Sequence, residues 1–314
     1  LGDALSGMVE SFSFTSLAEK ILSTEGGAAV QTLSDAGRAV LVRRALEELQ
    51  DNVHYYHRHR RSAAFCQMAA QTIDELKSAG LSGQQLAQLA GACGAESGKL
   101  SELALIFQGY ETLLARSGMD PSDRLELAGA RLEEALARHS LPEFLRDRAV
   151  FIDEFDTFNA PKKRLLGAML AALPSVTVAL CDDGAPLLPG DLSLFSGAKQ
   201  VAAQLRQLAR KNGAEVAVPQ LLRKDLRHRN APGLAAVAEL LETGSCTADA
   251  PAGEVRLFAA PSREEEARAA AGAIRRLMRQ GVRCGKIAVV CRDIAKYRAA
   301  IRYEFRMAEI PLYC

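Results

Sequence analysis

Between Leu33 and about His139 apolar residues recur at helical spacing, and hardly any other pattern shows. "LSDAGRAVLVRRALEELQ" opens on Ser34, whose hydroxyl can accept from the free N–H groups at a helix start. "FCQMAAQTIDELKSAG" closes on Gly80, suited to a left-handed cap. In "KLSELALIFQGYETLLARSG" the residues Leu103, Ile106, Phe107, Tyr110, Leu113 and Leu114 make one stripe. "DPSDRLELAGARLEEALARH" carries Pro121 in a first turn, where its missing N–H has no bond to lose. A helical block of this length has to pack on itself and interrupt whatever layers flank it.

On both flanks the period changes. Met8–Phe14, "MVESFSF", alternates and predicts a short strand, followed by a helix over "TSLAEKIL" that "EGG" ends. After the block come a strand "AVFID", a helix "APKKRLLGAMLAAL", a strand "VTVALCDD", a helix "LFSGAKQVAAQLRQLARKNG" and a strand "AEVAV". Buried strands alternating with helices predict a parallel α/β sheet. "ETGSCTADAPAGE" has linker composition. Beyond it Ser262 and Glu265 form a capping box on a helix ending at Gly281, then "KIAVVC" predicts a strand, "IAKYRAAIRYEFRMA" a helix and "EIPLYC" the start of another strand. The expected architecture is α/β and helix-rich. Residues 1–30 and 140–243 form one parallel-sheet domain, 31–139 an all-helical insertion, 244–254 a linker, and 255–314 the beginning of a second sheet domain. A unit that has barely begun implies a fragment of a longer protein.

Composition narrows the function classes. Net charge is +1, so nucleic-acid binding would have to use local patches. No apolar run approaches about 18 residues and no leader is visible, so neither a membrane span nor secretion is expected. Seven widely spaced cysteines without a CxxC argue for reduced thiols in a cytoplasmic protein.

The stretch that bears on chemistry is Val150–Phe158, "VFIDEFDTF". Apolar residues run into Asp153 and Glu154, where a parallel sheet gathers its ligands. Asp153 can hold Mg²⁺, through water, and Glu154 can orient or deprotonate an attacking water. The same letters also suit a plain strand running out into a loop. The nucleotide reading needs the strand to lie centrally in its sheet, with both acids facing a cleft. It also needs a GxxxxGK[ST] phosphate cradle. The nearest lookalike, Gly91–Leu100, has the wrong glycine spacing, lacks the Ser or Thr after Lys99, and lies between helices. Two basic runs stand out: "HYYHRHRR", His54–Arg61, and "RKDLRHRN", Arg223–Asn230. Each can meet a phosphate backbone or be a solvated helix end or loop. Zinc at His54, His57 and His59 would lack a fourth ligand.

The order of elements resembles a superfamily 1 helicase of the UvrD and PcrA type, entered after its phosphate loop. More closely it resembles the AddB (RexB-type) subunit of the bacterial AddAB helicase–nuclease. The segments that carry this are "SFSFTSLAEKIL", "KLSELALIFQGYETLL", "MDPSDRLELA", "VFIDEFDTFNAPKKRLLGAML", "VTVALCDD" and "SREEEARAAAGAIRRLMRQGVRCGKIAVVCRDIAKYRAAIRYEFRMAEIPLY". The resemblance implies a partial RecA-like domain, its helical insertion and the start of a second RecA-like domain. It implies ATP and Mg²⁺ in the full-length protein, an iron–sulphur cluster outside this stretch, and an AddA-type partner in a heterodimer. The substrates implied are broken DNA ends and single strands scanned for a hotspot sequence, in recombinational repair. The full-length protein would be an ATP-dependent helicase/deoxyribonuclease subunit, and this stretch inactive by itself. Asp153 and Glu154 match the motif II acids; Asp156 stands where the helicases carry glutamine, and many AddB proteins have glycine in place of Glu154. Arg292 matches the arginine that reaches the γ-phosphate. Phe14 and Thr15 fall near the motif that touches single-stranded DNA, although Phe12 and Phe14 also suit a core. Arg58 and Arg60 are candidate DNA-backbone contacts.

Overall fold

The computed structural model describes residues 9–222, 226–245 and 254–313. The chain divides into two compact units, Leu1–Leu221 and Leu222–Cys314.

In the first unit, helix α1 (Phe14–Glu25) begins at Ser13. The Ser13 hydroxyl accepts the Ser16 N–H at 3.1 Å, and the Ser16 hydroxyl accepts the Ser13 N–H at 2.8 Å. This reciprocal cap decides the local structure. The strand expected over Met8–Phe14 does not form: Val9–Ser13 pair with no neighbour, and Phe14 is already helical. Met8 lies outside the described residues. Phe14, Leu17, Ala18, Ile21 and Leu22 make the buried stripe of α1.

The helical block contains α2 (Asp35–Glu48), α3 (Ala63–Ser78), α4 (Gly83–Ala90) and α5 (Ser97–Ser117). Ser34 caps α2, accepting the Gly37 N–H at 3.2 Å. Gly80, at φ +82°, turns the chain after α3. Val42, Leu46, Ile73, Ile106, Phe107 and Tyr110 fill the core of this block. Helix α6 (Pro121–Ala137) belongs to another core: its Ala128 and Leu132 pack with α1 and with α7 (Ala160–Ala172). The Arg124 guanidinium on α6 pairs with Glu19 of α1 and donates to the Val30 carbonyl at 2.7 Å. The last helix of the predicted insertion therefore helps to build the α/β core.

Strands β1 (Ala149–Ile152) and β2 (Ser175–Val178) pair in parallel, Ala149 opposite Ser175 and Ile152 opposite Val178, with α7 as the crossover. Val150, Ile152, Val176 and Val178 face Leu165, Leu166 and Met169 in the core. On the other face Phe151 is 76% exposed. Among the described residues β1 pairs with β2 alone, and the further neighbour that a central strand calls for is not among them. One expectation is corrected here. Ala214–Val218, expected as a strand, is unpaired, with Val218 exposed. Apolar, β-branched composition favours extended backbone, but a strand exists only where a second segment completes the ladder.

Helix α8 (Ser196–Lys211) follows β2 and a long loop. Its Lys199 is nearly buried, with the ammonium 3.0 Å from Asp183 and 3.6 Å from Asp191, which fastens that loop to the helix.

The second unit holds α9 (Pro232–Thr243), α10 (Arg263–Arg279) and α11 (Ile294–Met307). Ser262 caps α10, accepting the Glu265 N–H at 3.3 Å. Ala267, Ala271 and Ile274 of α10 pack on Ile301 and Phe305 of α11, with Ile310 beside them. Arg268 and Glu304 join the two helices at 3.0 Å. The strand expected at "KIAVVC" is absent. Cys284–Lys286 form a 3₁₀ turn, and the extended residues after it find no partner among the described residues, leaving Val290 89% exposed. Ile310–Tyr313, the expected start of a strand, is likewise unpaired. Most of the predicted linker, 246–253, and the first three residues of the Arg223–Asn230 run lie outside the described residues.

Candidate nucleotide site

β1 delivers Asp153 and Glu154 to the C-terminal end of the parallel pair, one residue beyond the buried anchor Ile152. Both acids are exposed. Asp153 Oδ1 accepts the Glu154 N–H at 2.9 Å, which fixes the carboxylate and leaves Oδ2 free of protein partners. Glu154 sits at φ +63°, in the left-handed region. There the Cβ crowds the following carbonyl, at a cost of about 1–2 kcal/mol for a residue other than glycine.

Beyond the acids the chain folds back as an aromatic clasp. Phe155 and Phe158 meet the Phe14 ring edge-on, at centroid distances of 4.9 and 6.0 Å. The Lys162 ammonium on α7 lies 5.5 Å from the Phe14 centroid and 5.4 Å from that of Phe155. Aromatic edges and a cation above the ring faces each add attraction beyond burial. The clasp thus brings Phe14 and Thr15 beside the acid-bearing loop, although about 140 residues of sequence separate them. Phe14 is 8% exposed and faces this core, while Thr15 faces solvent. Sequence reasoning missed Lys162 and the clasp. The local signal was present: Asn159 caps α7 by accepting the Lys162 N–H at 3.1 Å, and Pro161 sits in the first turn.

The other predicted residues stand on other elements. Arg58 and Arg60 sit at a 3₁₀ turn, His57–His59, in the helical block; Arg58 is exposed, and Arg60 Nη1 lies 3.3 Å from His57 Nδ1. Just before this turn three successive N–H groups, of His54, Tyr55 and Tyr56, donate to the Glu102 carboxylate at 2.8–3.1 Å. Partial burial raises the Glu102 pKa; the three donors outweigh it and leave the group below its ordinary range. Arg292, in the second unit, is exposed just ahead of α11 and has no carboxylate partner among the described residues. The glycine-rich Gly91–Leu100 segment connects α4 to α5, and its Lys99 pairs with Glu96 at 2.7 Å and covers the Tyr55 ring.

Two adjacent carboxylates fit a Mg²⁺ ion of the kind that keeps waters and takes its remaining oxygens from nucleotide phosphates. They do not fit an all-protein cage: among the described residues no group of three or more His, Cys, Asp or Glu is placed to hold a metal.

Residues 3–238 match the family described as ADDB, N-terminal. The chain belongs to the AddB family. Proteins named as the B-type subunit of an ATP-dependent helicase/deoxyribonuclease resemble it along its whole length. That of Desulforudis audaxviator is 32% identical over 324 residues, covering 100% of this chain and 27% of the relative. That of Symbiobacterium thermophilum is 33% identical, covering 96% and 26%. That of Moorella thermoacetica is 32% identical, covering 97% and 27%. The chain spans about a quarter of the length of these AddB relatives. No helix among the described residues is long and apolar enough to cross a membrane.

Proposed function

We propose that this chain is the helicase-like, DNA-contacting part of a cytoplasmic helicase–nuclease subunit. The subunit would act on double-strand breaks in recombinational repair, scanning single strands beside an AddA-type partner. The observation that carries the reading is the family match over residues 3–238, together with an acid pair at the C-terminal end of a parallel strand inside that span. A nucleotide with its Mg²⁺ would supply the phosphoryl group and most of the local charge. Asp153, pinned through Oδ1, would offer Oδ2 toward the hydrated ion. The exposed Glu154 carboxylate would take a proton from water. Arg292 would bring positive charge to the terminal phosphate. Thr15 would present its hydroxyl to a DNA strand while Phe14 holds the acid loop in place, and Arg58 and Arg60 would face backbone phosphates.

The test has two parts. The 314-residue chain incubated with ATP, Mg²⁺ and single-stranded DNA should release no phosphate above background. Turnover that Asp153→Asn abolishes would show a self-sufficient ATPase and refute the reading. In the full-length subunit, Glu154→Gln should slow hydrolysis while nucleotide affinity holds; equal loss of both would make Glu154 structural.

A further inference from the structure

Three successive basic residues stand near the start of α7, and they are held differently. Arg164 pairs with Glu126 and, at 2.7 Å, with Glu133. Lys163 donates to Gln204 of α8 at 2.7 Å. Lys162 makes no ion pair and no side-chain hydrogen bond among the described residues. Its ammonium stands over the rings of Phe14 on α1 and Phe155 in the acid loop. Asp153, Glu154 and Asp156 belong to that same loop, yet none of them neutralises it. An ion pair here would take a carboxylate oxygen from the loop. Resting on ring faces, the cation gains attraction and leaves the acids free.

The loop needs holding. Glu154 sits at φ +63°, a conformation that a residue other than glycine leaves when nothing opposes it. Phe155 comes next and is only half-buried, so burial alone restrains it weakly. Lys162 is well placed to supply the rest. Its own N–H is bonded to the Asn159 cap at 3.1 Å, and Pro161 is buried beside it. The attraction of one cation to two rings is of the same order as the backbone cost at Glu154. A slip of Phe155 would pass through Glu154 to Asp153, whose Oδ1 accepts the Glu154 N–H.

We propose that Lys162 is a positioning residue for the acid pair. Its ammonium, shared between the Phe14 and Phe155 rings, holds the loop so that the Asp153 carboxylate meets the Mg²⁺ of a bound nucleotide. This rests on the nucleotide reading above and deepens it. Two other roles predict different outcomes. A cation acting by charge alone repels the metal, so its removal would strengthen the metal contact. A cation touching phosphate directly would be missed equally with and without metal.

The experiment measures the affinity of the full-length subunit for a fluorescent ATP analogue, once with saturating Mg²⁺ and once with EDTA. The ratio of the two affinities reads the metal contact. Lys162→Met should lower the ratio about fivefold or more and leave the EDTA affinity within about twofold. Lys162→Arg keeps a cation on the rings and should restore the ratio. Added to Asp153→Asn, Lys162→Met should lower the ratio no further, because residues acting as one unit do not add. Phe155→Leu should act in the same direction, and it carries the test if circular dichroism shows Lys162→Met unfolded. Lys163→Met removes the same charge one residue along and should leave the ratio within about twofold. A ratio that Lys162→Met leaves in place or raises, or that falls further in the double variant, overturns the positioning role. So does a loss that Lys162→Arg fails to restore. If Mg²⁺ does not alter wild-type affinity, or Asp153→Asn does not lower the ratio, the nucleotide reading itself falls and this inference with it.

Discussion

Asp120 is the most consequential polar residue of the first unit, and replacing it by Ala should loosen the helical block from the acid-bearing core. Its side chain is 1% exposed at the start of α6. Oδ1 accepts the Tyr110 hydroxyl at 2.5 Å, and Oδ2 accepts the Lys77 ammonium at 2.9 Å. Lys77 also donates to Asp123 at 2.7 Å. One carboxylate thus joins α3, α5 and α6, and α6 is packed against α7 beneath the acid pair. Asp120→Ala leaves the buried Tyr110 hydroxyl without its acceptor, at about 1–3 kcal/mol, and removes one of the two charge-assisted bonds to Lys77. Asp123 retains the other, so the ammonium is not orphaned. The expected loss is about 2–4 kcal/mol, below the full cost of stranding a buried charge because Asp123 keeps the ammonium paired. For a unit of this size that is about 4–16 °C in Tm. Thermal and urea melts followed by circular dichroism read it directly. Tyr110→Phe should cost only about 1 kcal/mol, because hydroxyl and acceptor part without a buried charge being stranded. If Asp120→Ala costs under about 1 kcal/mol, or no more than Tyr110→Phe, the network is not what fastens the block.

The same groups set an alkaline limit. Burial lowers the Lys77 pKa, but Asp123 and Asp120 outweigh it and leave it above the ordinary lysine value; burial and then the Asp120 hydrogen bond raise that of Tyr110. Both contributions are whole below the unfolded values near about pH 10 and decline as pH rises beyond them, so wild type should lose stability above about pH 10 and Lys77→Met much less steeply, checked by urea melts across pH. Glu102 works on the acid side. Its depressed pKa means that its contribution is present above the unfolded value of about 4.3 and lost as pH falls through the lower folded one. Glu102→Gln should cost about 1–2 kcal/mol near neutral pH, and the gap to wild type should close below about pH 4 in the same melts. Glu154→Gly should leave stability unchanged or raise it by up to about 1 kcal/mol, since relief at φ +63° offsets the extra freedom of the unfolded chain; a clear loss would mean that the Glu154 side chain holds the loop.

Helices were legible because their signals are local. Ser34 and Ser262 stand within three residues of the N–H groups they satisfy, Pro121 sits in the first turn it favours, and the stripe of α1 repeats within two turns. Helix α9 went unread although Pro232 opens it and the left-handed Gly244 closes it; its apolar run lacks the polar face that marks a period. "SFSF" shows local rules in conflict, with strand-like alternation losing to the Ser13–Ser16 cap one residue before the helix. Strands were legible as extended apolar segments and no further. Among the described residues two of the predicted ones found a ladder, because a ladder depends on a second segment that the first does not encode.

The candidate site divides in the same way. Asp153 and Glu154 were visible because an apolar run ends in two acids. Their support was not, since Phe14 and Lys162 reach the loop from opposite sides of it in sequence. The left-handed backbone at Glu154 joins the two levels. A turn that brings Phe155 back toward Phe14 one residue after the strand reverses the chain abruptly, and it does so through a conformation that glycine adopts freely. The glycine that resemblance to AddB places at this position is therefore what the loop geometry favours, whatever happens to the chemistry. Glutamate here carries a backbone cost that the clasp holds in place, which is the pattern of strain stored at functional positions.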